Sequence, residues 1–69
     1  MEKTHRVSST ILSNIPVLVL EGDITSEADS DIMSMYRELK DKYSPFYIII
    51  DFAKTKYINS AGIATLINI

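Results

Sequence analysis

Ser60 is the side chain in this chain best placed to do chemistry. It follows the polar stretch Asp51-Phe52-Ala53-Lys54-Thr55-Lys56-Tyr57-Ile58-Asn59 and opens the apolar pattern of residues 61–69. A serine at the first position of a helix stands where backbone N–H groups lack partners and the macrodipole is positive. Chemically this is a helix cap or a site that tolerates phosphate. Lys54 and Lys56 precede it in what reads as a loop, as solvated charges or as partners for an anion. Asn59 reads as a loop-to-helix residue bonding nearby backbone. Gly62 costs about 1 kcal/mol against alanine in a first helical turn, so packing or a close backbone approach is expected there.

Catalysis by Ser60 has no support. The one histidine, His5, lies in the N-terminal segment, read as a frayed, solvated tail. Asp23 and Asp51 both follow apolar runs and are expected near one end of a sheet, but nothing supplies a third metal ligand. Asp51 reads as a loop-orienting acceptor. We therefore expect neither an enzyme, nor a metal site, nor a cofactor.

The elements that hold these residues follow from hydrophobic pattern. Residues 7–12 alternate weakly and 15–20 form an apolar run. Ser13-Asn14 between them is turn chemistry, so the two strands should form an antiparallel hairpin. Ser26 and Asp29 suggest a capped helix start. Ala28, Ile32, Met35 and Leu39 then make one apolar stripe, widened by Tyr36, and Pro45 ends the helix. Residues 46–51 read as a third strand ending at Asp51, with Ile48-Ile49-Ile50 covered on both faces. Strand, helix and strand in that order favour a parallel crossover. The last helix is apolar nearly all round, with Ala61, Thr65 and Asn68 as its narrow non-bulky stripe. It carries no C-terminal cap, so we expect an incomplete domain: a truncated chain, or one completed by a missing C-terminal segment or a second copy in a homo-oligomer.

Bulk numbers set limits. At 69 residues the chain, residues 1–69, is one domain at most, and a marginal one without help. There are no cysteines to staple it. The net charge of −2, with mixed signs, argues against nucleic-acid binding. No apolar run approaches the roughly 18 residues of a membrane span, and no leader pattern is present. A cytoplasmic location is the expectation.

The strand ending in Asp51, the aromatic-aliphatic pair Tyr57-Ile58, and Asn59-Ser60-Ala61-Gly62-Ile63 together resemble the signature of the STAS domain. That domain occurs in bacterial anti-sigma factor antagonists and at the C-terminus of sulfate transporters. Val17-Leu18-Val19-Leu20-Glu21-Gly22-Asp23-Ile24 resembles its second strand and the following turn. The likeness covers residues 6–69. It implies a regulatory protein-binding module whose partner is an anti-sigma factor that is also a serine kinase. The serine matching the phosphorylated one is Ser60, and phosphorylation would release the partner. Asn59, Ser60, Ala61, Gly62 and Thr65 would contact that partner, with Asp23, Asp51, Lys54 and Lys56 supporting the loop. Two positions depart from the antagonists. Thr25 and Asn59 stand where acidic residues are common, removing two carboxylates that flank the phosphorylation site. That departure suits a non-phosphorylated scaffold subunit of a signalling or lipid-transport assembly. The helix start alone also suits a nucleotide-binding STAS module. The expected fold is α/β, a mixed sheet with helices packed on it, STAS-like and cut short after the signature helix.

Overall fold

The computed structural model describes residues 4–45 and 47–67. Five main elements follow in order: β1 (His5–Leu12), β2 (Ile15–Ile24), α1 (Asp29–Tyr43), β3 (Ile49–Ile58) and α2 (Ser60–Ile67). A 3-10 turn, Ser26–Ala28, leads into α1.

The three strands lie in the order β1-β2-β3. β1 pairs antiparallel with β2, from His5 opposite Gly22 to Leu12 opposite Ile15. The expected two-residue hairpin loop is present, with Ser13 and Asn14 both at positive φ, the backbone such a loop requires. β2 and β3 run parallel, joined through α1, so the sheet is mixed as expected.

One face of the sheet makes the core. Leu18, Leu20 and Ile24 of β2 meet Ala28, Ile32 and Leu39, with Val7, Met35, Ile48, Ile50, Ile58 and Leu66 packed around them. Both helices reach this cluster, so both lie on that face. The alternate residues of β2, among them Val19 and Glu21, point to the other face. The four-three-four spacing of the α1 stripe is thus the spacing that packs. The helix ends at Ser44, whose left-handed backbone and N–H bond to the Lys40 carbonyl close it ahead of Pro45.

Four expectations about this frame need correction. β3 does not end at Asp51 but runs on to Ile58, because β2 itself extends to Ile24 and offers it partners. Val17–Ile24 of β2 faces Ile49–Ile58 of β3, so β3 carries two extra residues, placed at register shifts after Asp51 and after Thr55. The polar stretch read as a loop is a bulged strand. Ile49 is exposed rather than covered on both faces: Ile48 and Ile50 pack on the core and Ile49 points away. The cap before α1 is Thr25, whose Oγ1 accepts from the Glu27 N–H at 3.3 Å and closes the 3-10 turn; Ser26 is exposed. Phe46, expected to begin the third strand, lies outside the described residues, as do Asn68 and Ile69.

The fourth correction is His5. It is no tail residue but the first residue of β1, buried, with Nε2 2.8 Å from Asp31 Oδ2 on the first turn of α1. Gly22 lets the chain come this close. It sits at φ +80°, and its Cα lies against the Thr4 carbonyl where any Cβ would collide. The Asp23 N–H then donates to that carbonyl at 2.9 Å.

Candidate functional site

The end of the sheet where β2 and β3 finish holds the start of α2. Ile24 faces Ile58 across the two strands. The Ile24 carbonyl accepts the Asn59 N–H at 3.3 Å. Asn59 then caps α2: its backbone carbonyl accepts from Ile63 at 3.0 Å and its Oδ1 accepts from the Gly62 N–H at 3.0 Å. Asn59 therefore does the structural work that the sequence left open between itself and Ser60.

Ser60 is the first residue of α2 and is exposed. Its hydroxyl makes no hydrogen bond among the described residues. With Gly62 and Ile63 satisfied by Asn59, the N–H groups of Ser60 and Ala61 are the open donors of this helix end. An anion attached to Ser60 would meet those donors and the positive end of the dipole.

Gly62 is buried against the sheet. A Cβ there would collide with the Ile24 carbonyl carbon and oxygen. The close approach is thus internal, and the glycine lets α2 sit down on the end of β2. Thr65, expected on an exposed docking stripe, is instead buried. It lies over the start of α1, with Oγ1 2.9 Å from Asp29 Oδ1 and 3.1 Å from the Ala61 carbonyl. Gly62, Thr65 and Leu66 of α2 face the fold and its isoleucines face out: Ile63 is 46% exposed and Ile67 75%. With Ser60 and Ala64 these form the outward stripe at helical spacing. Hydrophobicity alone points the other way; what decides it is that Gly62 leaves room for the Ile24 carbonyl and that the Thr65 hydroxyl bonds to Asp29.

The supporting residues divide. Asp51 Oδ1 accepts the Ala53 N–H at 2.8 Å, so it orders backbone as expected, though within the strand at its first bulge. Asp23 faces Tyr57, while Asp51 faces Val19. The two sites lie four positions apart along β2, about 13 Å at strand spacing, so the two carboxylates do not share one end. No three His, Asp or Glu side chains gather as a metal site among the described residues. Lys54 and Lys56 are exposed on β3; Lys54 Nζ lies 3.9 Å from Glu21 Oε1. Sequence reasoning did not find Arg6, whose Nε reaches the other Glu21 oxygen at 3.8 Å. That convergence depends on the strand register, which no local pattern encodes.

Among the described residues no helix is long and apolar enough to cross a membrane. No family model matches the chain, and no curated protein matches it.

Proposed function

We propose that this chain is a regulatory protein-binding module of the anti-sigma factor antagonist type, switched by phosphorylation of Ser60. One observation carries the reading. Ser60 stands exposed at the first position of α2 with no structural task, because Asn59 has taken the cap.

A phosphoryl group there adds about −1.5 to −2 charges at neutral pH. The folded chain accommodates it, since open N–H donors and the helix dipole favour an anion. A partner surface fitted to the bare hydroxyl and to Ile63, Ala64 and Ile67 does not, because it must desolvate the charge. Modification then changes docking and leaves the fold. Incubation with an anti-sigma factor serine kinase and ATP, followed by peptide mass spectrometry, should place phosphate on Ser60. Phosphate elsewhere or nowhere, or a kinase that still binds Ser60→Asp, sinks the reading.

A second reading is a STAS scaffold subunit that is never phosphorylated. Its support is that Thr25 and Asn59, standing where the antagonists often carry acids, act as neutral caps. It predicts that Ser60→Ala leaves partner binding intact while a bulky residue at Ala64 disrupts it.

A further inference from the structure

The face of the sheet away from the helices carries a separate feature. Arg6 of β1 and Lys54 of β3 approach the two oxygens of Glu21 from opposite sides, at 3.8 and 3.9 Å. Lys56 joins them around a shallow hollow of about 370 Å³ whose floor includes Thr4 and Gly22. One carboxylate thus faces three cations. Both ion pairs are longer than a hydrogen bond, and the Arg6 and Lys54 side chains are 77% and 71% exposed. Lys56 has no ion pair among the described residues. The charge is segregated. Among the described residues, three of the six Lys and Arg line the hollow with one of the eight acids, so three cations and seven acids stand elsewhere. Exposed Phe52 and Tyr57 bracket the two lysines along β3.

We propose that this hollow docks an acidic polypeptide segment of a protein partner, with two or three carboxylates set on Arg6, Lys54 and Lys56 and an apolar residue against Phe52 or Tyr57. The net positive charge is local, and the chain around it is negative. A short acidic segment fits that distribution. A nucleic-acid strand needs a longer basic track and meets repulsion beyond the hollow. The proposal is independent of Ser60 and its modification.

The test is fluorescence anisotropy on the unmodified chain, with a fluorescein-labelled peptide of alternating Glu and Val as the probe. Binding is expected at low salt and should weaken steeply as ionic strength rises to about 0.15 M. Arg6→Glu, and Lys54→Glu with Lys56→Glu, should each weaken it about tenfold or more, while Lys40→Glu with Lys42→Glu on α1 stays within about twofold. Circular dichroism reports folding; if a reversal unfolds the chain, Lys54→Met with Lys56→Met makes the same comparison. Absence of binding at low salt, an equal loss from the α1 control, or tighter binding of an oligothymidylate of matched charge overturns the proposal.

Discussion

The carbonyl of Ile24 and the Cα of Gly62 are in direct contact, with no room for a Cβ between them. This contact fixes where α2 lands on the sheet and therefore how Ser60 is presented. Exposed helical glycines usually gain about 1 kcal/mol on change to alanine. Here Gly62→Ala should instead lose about 1–3 kcal/mol, because a backbone carbonyl cannot move aside as a side chain can. Urea denaturation measures it, and a stabilised variant would mean that the contact is not what seats the helix.

Asn59 and Ser60 should separate cleanly by stability. Asn59→Ala removes the acceptor for the Gly62 N–H and should cost about 1 kcal/mol. Ser60→Ala, at an exposed position, should stay within about 0.5 kcal/mol. Thermal melts of the two variants decide it; equal losses would assign the capping role to both side chains.

Ser60→Asp should leave the fold unharmed and raise stability by about 0.3–1 kcal/mol at low ionic strength, since the new charge meets the positive helix end. The gain should shrink with added salt. Far-UV circular dichroism with a salt series checks both points, and a variant that unfolds would show that this position cannot carry a phosphate.

Thr65→Val keeps the shape and removes the hydroxyl that reaches Asp29. The loss should be about 1 kcal/mol, concentrated in the attachment of α2 to α1. Hydrogen exchange should therefore speed up across α2 more than across β2. Uniform acceleration along the chain would place the effect in global stability instead.

Ile63 and Ile67 are large, apolar and exposed on one stripe. Replacing both with serine should reduce self-association without loss of folding, as followed by light scattering against concentration. A wild-type chain that stays monomeric at high concentration would remove this expectation.

Several features were legible in the residues because they depend on near neighbours alone. Ser13 and Asn14 marked the hairpin, Pro45 the end of α1, and the spacing of Ala28, Ile32, Met35 and Leu39 its buried side. The position of Ser60 at the head of a helix was equally local, since it needs only a polar run followed by an apolar one.

What sequence could not decide was everything set by distant partners. β3 passes through Lys54 and Lys56 because β2 extends beyond Leu20, and polar residues join a strand when a neighbour offers backbone to pair with. His5 is buried because Gly22 admits the Thr4 carbonyl and because Asp31, a helix away, takes its Nε2. In α2, hydropathy favours burial of the isoleucines, yet Gly62 and Thr65 are inside with Leu66, since the close approach of Gly62 to the Ile24 carbonyl and the Thr65–Asp29 hydrogen bond outweigh apolar area at that contact. Periodicity gave this protein its elements; close contacts between residues far apart in the chain chose which sides of them meet.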